Sequence, residues 1–293
     1  MKSPPEASLP PRPLSLLART KDRMRQAGLH ARKGLGQHFL VDGTVMRQIV
    51  SAADLGPRDT VVEVGPGLGF MTEELAKQAG RVVAVEVDAN LAGLLKTTLA
   101  GYPNVTIVNA DILSVDPAGV LGPAETYKVV ANLPYYIAAP VIRLFLEASR
   151  KPERMVVMVQ KEVARQIRAA PPEMSLLSIG VQLYGEPKIV RYVPSRAFHP
   201  PPDVDSAVLK VMVYPKPAVE VDPATFFPLV RAGFSAARKQ IANSLANGLD
   251  LPKPEVLAML DGAGIDPRRR AESLFLEEWD RLWRIYRARK ENA

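Results

Sequence analysis

The chain contains no cysteine. That excludes a disulfide framework, thiolate metal ligands and a cysteine nucleophile. Histidine is nearly as scarce: His30, His38 and His199 are the only three in 293 residues, which argues against a histidine-based zinc site, so no metal is expected. No apolar run is long enough to span a bilayer, so no membrane span is expected either. The N-terminus, MKSPPEASLPPRPLSLL, has five prolines in its first thirteen residues and no apolar core of secretory type. It reads as a disordered or loosely ordered arm over residues 1–28 rather than a signal peptide, and the expected location is cytoplasmic. What the chain does have is apolar residues, at 47%, enough to bury a substantial core.

The net charge of +7 is unevenly spread. Residues 1–50 hold nine Lys+Arg against three Asp+Glu, whereas residues 51–160 hold nine against twelve. A mildly acidic centre suits a cationic ligand, and basic flanks suit a polyanion. The plainer alternative is a solvated basic surface.

From residue 60 to 160 short β-branched runs alternate with helical stretches. TVVEV (60–64), RVVAVEV (81–87), NVTIVNAD (104–111), KVVAN (128–132) and RMVVMVQ (154–160) are the runs. Near-continuous Val/Ile segments separated by amphipathic helices predict an α/β fold with a parallel sheet covered on both faces. PKIVRYVP (187–194) and SAVLKVMVYP (206–215) have no helix between them and predict a closing antiparallel pair. After residue 215 the β-branched runs stop and the pattern turns helical, so a boundary is expected near 216. The expected division is a main domain over 29–215 and a small all-helical one over 216–293.

In an open parallel sheet, ligands bind outside the carboxyl ends of the strands, where the strand order reverses. Those ends carry a glycine turn (Gly65, Gly67 and Gly69 in EVGPGLGF), then Glu86, Asp111 and Asn132. Four such ends in chain order point to a nucleoside lying across the strand tips. Glycines admit close backbone approach. Glu86, 21 residues after Gly65, has the spacing of an acid that accepts from ribose hydroxyls, and Asp111 can accept from an adenine amine. A dinucleotide fingerprint requires its third glycine at position 70, where Phe stands, and there is no P-loop Lys. EVGPGLGFMTEEL also lacks any cation for a diphosphate, while Glu63, Glu73 and Glu74 flank the turn and would repel one. A cationic nucleoside, S-adenosylmethionine, fits that charge.

NLPYY (132–136) then has a chemical reading. The exocyclic amine of adenine is a poor nucleophile because its lone pair is delocalised into the ring. The Asn132 side-chain oxygen and the Leu133 carbonyl can each accept one amine hydrogen, leaving the lone pair free to meet a methyl group. Pro134 restricts Leu133 to extended backbone, and Tyr135 offers a face on which the base stacks. Tyr136 is expected to pack beneath the loop. By itself the segment reads rather as a strand exit with a proline turn and two half-buried tyrosines; its place on the fourth strand, beside a nucleoside pocket, favours the chemical reading. Phe198, in AFHPPPDVD, either closes over the other face of the base or anchors its stiff loop in the core.

Several segments occur together in order: RKGLGQHFLVD (32–42), VEVGPGLGFMTEEL (62–75), VEVD (85–88), NADIL (109–113), ANLPYYI (131–137), AFHPPPDVDSAV, RKQIANSL (238–245) and GIDPRRRAESL (264–274). From about residue 30 to 285 the chain resembles the small-subunit (16S) ribosomal RNA adenine N6,N6-dimethyltransferases, the bacterial kasugamycin-resistance methylases. The resemblance implies a Rossmann-like class I methyltransferase with a seven-stranded sheet and a helical C-terminal domain. It implies S-adenosylmethionine as cofactor and four methyl transfers to two adjacent adenosines in the 3′-terminal stem-loop of 16S rRNA, by a monomer acting on a pre-30S particle. Carried over residue by residue, it places His38, Leu40, Gly65, Gly67, Glu86, Asp111 and Asn132 at the cofactor, with Gln37 adjacent. Asn132, Leu133, Pro134, Tyr135 and Phe198 fall at the acceptor, and Arg32, Lys33, Arg238 and Lys239 at the RNA. The family often has Asn where this chain has His38. The first 25 or so residues precede the family's usual start and are given no role. Two other readings stay open. One is the related large-subunit rRNA methylase of macrolide resistance, against which GIDPRRRAESL argues. The other is a methyltransferase-fold RNA- or DNA-binding factor without catalysis.

Overall fold

The computed structural model describes residues 14–28, 36–122, 126–236 and 238–291. In chain order the elements begin with α1 (Leu16–Gln26), β1 (Phe39–Leu40), α2 (Gly43–Ala53), β2 (Thr60–Val64), α3 (Phe70–Ala76), β3 (Arg81–Glu86), α4 (Ala89–Thr98), β4 (Val105–Asn109) and α5 (Pro117–Leu121). They continue with β5 (Lys128–Asn132), α6 (Ala138–Glu147), β6 (Arg154–Gln160), α7 (Lys161–Arg168), α8 (Leu176–Gln182), β7 (Gly185–Val193), β8 (Phe198–His199) and β9 (Ser206–Val213). Four helices close the chain: α9 (Pro223–Phe234), α10 (Ile241–Leu249), α11 (Lys253–Gly262) and α12 (Leu276–Glu291).

Seven strands form one sheet in the order β4-β3-β2-β5-β6-β9-β7. The first five are parallel, and β9 runs antiparallel between β6 and β7. The Val-rich runs make its centre: Val61, Val62, Val83, Val129, Val130 and Val157 are all fully buried, as a strand covered on both faces requires. The polar alternation of β7 reflects its edge position, with Glu186, Lys188, Val190 and Tyr192 exposed. From β2 the chain moves outward to β3 and β4, then returns to β5 on the other side of β2. The crevice between the ends of β2 and β5 is therefore the switch point, flanked by Gly65 and Asn132. A small second sheet pairs β1 with β8, setting Leu40 opposite Phe198.

The expected antiparallel closing pair is present, and among the described residues no strand follows β9. One buried apolar cluster runs from the sheet through α6 and α8 into the C-terminal helices, including Phe226, Leu245, Leu260 and Trp279.

The N-terminal region requires a correction. Residues 1–13 lie outside the described residues, but 16–26 form α1, capped by Ser15, whose hydroxyl accepts from the Ala18 N–H. The prolines that suggested an arm end at Pro13. Beyond them, Leu16, Thr20 and Met24 recur at helical spacing and pack inward.

Candidate active site

The ends of β2, β3, β4 and β5 open onto one cavity. Its walls include Gly65, Gly67, Glu86, Asp111, Asn132, Leu133, Pro134, Tyr135 and Phe198, together with Gly36, Gln37, His38 and Phe39 from the N-terminal motif. The local sequence explains the positions. Gly65, Gly67 and Gly69 all have positive φ, so the chain folds back tightly after β2 and enters α3 at Gly69. A side-chain carbon at Gly67 would stand 3.2 Å from the Phe39 ring, so the bare glycine keeps this wall thin.

Glu86 ends β3 and is only 5% exposed. Its carboxylate accepts from the Asp88 N–H at 2.9 Å and from the Gly67 N–H at 3.3 Å. These bonds tie the acid to the glycine loop and leave lone pairs for further donors. Burial pushes its pKa up, against those backbone bonds. Asp111 caps the short turn after β4, accepting from the Leu113 N–H at 3.0 Å. Between these two acids Val87, Ala110, Ile112 and Leu113 line an apolar slot.

The Asn132 side chain is oriented by a partner 94 residues earlier: Nδ2 donates to the His38 carbonyl at 3.1 Å. With its nitrogen so engaged, the amide presents Oδ1 as acceptor at the switch point. The His38 ring in turn donates from Nδ1 to the Pro200 carbonyl at 2.9 Å. His38 thus joins Asn132 to the proline loop that carries Phe198, and its Nδ1 is committed within the protein. The Leu133 N–H donates to the Met158 carbonyl at 3.2 Å, and Pro134 continues the chain at φ −55°, ψ 132°. The Tyr135 hydroxyl shares a 2.7 Å hydrogen bond with Ser206 Oγ, and its ring lies near-parallel to that of His38, with centroids 6.1 Å apart. Phe198 is 3% exposed and belongs both to the core and to the cavity wall. Its two readings are therefore compatible.

Three expectations change. Tyr136 does not pack beneath the loop: it is 61% exposed at the cavity rim, and its ring covers Gly36, where a side-chain carbon would meet it at 3.5 Å. Leu40 does not line the cavity; it packs into the cluster under β1, and its neighbour Phe39 takes the wall. The charge around the glycine turn is also not free. Glu73 is paired with Arg19 and Arg23, Glu74 with Lys77, and Glu63 is fully buried. A diphosphate is instead disfavoured by the cavity wall itself, where Glu86 and Asp111 stand and no lysine or arginine appears among the described residues.

That donor set fits S-adenosylmethionine. Two acids can meet ribose hydroxyls and an adenine amine, the apolar slot suits a purine, and a wall without lysine or arginine tolerates a sulfonium. Sequence reading missed Ser206, the support of Tyr135, because a serine opening a strand carries no local signal. It also missed an exposed basic face beginning at α7. There Lys161 and Arg165 lie 5.5 and 5.9 Å from the ring of Tyr192, itself 46% exposed. The available signal was KEVARQIR, whose cations recur at helical spacing. Arg32 and Lys33 lie outside the described residues, and Arg238 and Lys239 are exposed in the turn before α10.

Comparison with known proteins agrees with this geometry. Residues 28–287 match the family described as Ribosomal RNA adenine dimethylase. The chain is 53% identical over 269 residues to the Ribosomal RNA small subunit methyltransferase A of Dehalococcoides mccartyi, covering 92% of each chain. It is 47% identical to the enzyme of that name from Moorella thermoacetica, covering 89% of this chain and 94% of the relative. Among solved structures it resembles the 23S rRNA methyltransferase ErmE (TM-score 0.67, 32% identity, 84% of this chain and 98% of that one). A dimethyladenosine transferase from Plasmodium falciparum shares the fold (TM-score 0.76, 24% identity, 86% and 98%). A class I methyltransferase fold, a cavity suited to S-adenosylmethionine and a family match over nearly the whole chain converge: the protein belongs to the ribosomal RNA adenine dimethylase family.

Proposed function

We propose that the protein dimethylates N6 of two adjacent adenosines in the 3′-terminal stem-loop of small-subunit rRNA, as a monomer acting on a pre-30S particle in the cytoplasm. The observation that carries the reading is Asn132, held by the His38 carbonyl with its oxygen presented beside Leu133 and Tyr135. S-adenosylmethionine, when bound, supplies an electrophilic methyl group on a sulfonium. Glu86 and Asp111 hold the nucleoside end of the cofactor. Asn132 Oδ1 and the Leu133 carbonyl accept the two hydrogens of the target amine, which draws its lone pair out of conjugation. Tyr135, fixed through Ser206, supports the base, and such stacking contributes about 1–3 kcal/mol. Phe198 closes the opposite wall. Gly65, Gly67, His38 and Leu40 belong to the cofactor side, Leu40 through the strand that carries its neighbours. Phosphates run over Arg32, Lys33, Arg238 and Lys239, and over the α7 face with Tyr192. Residues 29–215 carry the chemistry and 216–293 contribute to particle recognition.

Identity to the small-subunit enzymes, at 53%, exceeds that to the 23S enzyme, at 32%, which supports the small-subunit substrate. The test is incubation with labelled S-adenosylmethionine and immature 30S, naked RNA or 50S, followed by nucleoside analysis. Dimethyladenosine on immature 30S is expected. Asn132→Ala is expected to keep cofactor affinity within about tenfold and lose at least about 100-fold in rate. Label on 50S alone overturns the substrate assignment, and undiminished methylation by the variant overturns the role of Asn132.

A further inference from the structure

Helix α1 lies ahead of the segment matched to the family, which begins at residue 28. Its contacts converge on the cofactor loop. Arg19 and Arg23 are one turn apart and share a face. Their guanidinium groups lie 4.7 and 4.0 Å from the centroid of the Phe70 ring. Both also bond the Glu73 carboxylate, Arg19 to Oε2 at 3.1 Å and Arg23 to Oε1 at 2.9 Å. Arg23 goes further: Nη1 donates to the Leu68 carbonyl at 2.6 Å. Between the two arginines Thr20 is fully buried, and Leu16 and Met24 pack against the cluster that contains Leu68 and Phe70.

Leu68 stands between Gly67 and Gly69, in a turn with three positive-φ glycines. Such a turn is intrinsically soft, because each glycine has many conformations to lose. Its inner side is the cavity wall, where Gly67 donates to Glu86. Its outer side is held by α1. We infer that α1 is an external clamp on the cofactor loop, with Arg23 and Arg19 as positioning residues that set cofactor affinity without touching the cofactor. The proposal rests on the assignment of the cavity to S-adenosylmethionine. A charge-assisted bond to a backbone carbonyl, a shared carboxylate and two cation–π contacts are together strong enough to order a short loop.

The test uses the full-length protein with Arg23→Ala and with Arg19→Ala/Arg23→Ala. Titration calorimetry gives the Kd for S-adenosylmethionine, and steady-state kinetics on immature 30S particles separate its KM from that of the particle. The double variant is expected to bind cofactor about tenfold more weakly. Its kcat at saturating cofactor and its KM for the particle are expected to stay within about twofold of wild type. Arg23→Lys keeps a charge near Glu73 but lacks the fork that also reaches Leu68, and should fall between. Amide exchange at residues 65–70 without cofactor should accelerate, whereas a merely stabilising helix would lower Tm and leave Kd unchanged. A double variant with wild-type cofactor affinity overturns the clamp, and so does a raised KM for the particle at unchanged cofactor Kd. If wild type bound no cofactor, the cavity assignment itself would fail, a result distinct from either.

Discussion

Glu63 sits in β2, an interior strand of the sheet, fully buried, with neither carboxylate oxygen hydrogen-bonded. Burial pushes its pKa from 4.5 up to about 8, and the Glu86 carboxylate adds to the shift. An acid whose pKa is higher folded than unfolded binds more protons in the native state between the two values. Stability from this residue is therefore greatest below about pH 4.5 and declines as pH rises toward about 8. Glu63→Gln should remove that slope, so the difference in Tm between variant and wild type should grow in the variant's favour from pH 5 to pH 8.5. Thermal melts across that range check it, and parallel curves for the two proteins would refute it. From sequence, Glu63 read as one of three acids around the turn. Its isolation from water is set by the apolar cluster that α2 and α3 build around Val61, which shares its face of β2.

At the scale of elements, the join of β2 to α3 is the most constrained. Gly69 has φ 84°, and a side-chain carbon there would stand 2.7 Å from Leu95 Cδ2 of α4. Gly69→Ala thus meets both backbone strain and a clash, and should cost about 1–3 kcal/mol. Denaturant unfolding should register the loss, with weaker cofactor binding because Gly67 and Leu68 move with it; unchanged stability and affinity would contradict the packing. This element was legible in GPGLGF, because tight turns demand glycine locally. The helix that braces it was not. Arg19 and Arg23 reach Glu73 across 54 and 50 residues, and nothing in a basic amphipathic stretch names its partner. Arg269 is a similar case. In GIDPRRRAESL it looks like one of three surface cations, yet its guanidinium bridges Glu278 and the Ser273 carbonyl, and its own carbonyl accepts from the first residue of α10. Partial burial raises the Glu278 pKa, but the Arg269 bonds outweigh it and hold the carboxyl below its ordinary value.

For the molecule as a whole, the change in pattern at residue 216 suggested two units, whereas the buried cluster is continuous from the sheet into α9 to α12. The helices approach closely: a side-chain carbon on Gly233 would overlap Trp279, and one on Gly248 would meet the Ala232 backbone at 2.6 Å. Both tryptophans, Trp279 and Trp283, lie in α12, so their fluorescence reports the helical part alone, while far-ultraviolet circular dichroism reports the whole chain. A shared core predicts one cooperative transition, and the two midpoints should coincide. Separate midpoints would mean that the helices unfold as an independent unit.

The sequence by itself determined the strands, their glycine and polar ends, and hence the chemistry facing the cavity. Those signals are periodicities and turn requirements that neighbouring residues impose on each other. Only the tertiary structure decided that Asn132 is oriented by His38, that Tyr136 stands in solvent, that Glu73 is neutralised and that α1 grips the glycine loop. Each depends on which surfaces the crossovers bring together, and a partner tens of residues away leaves no mark in local sequence.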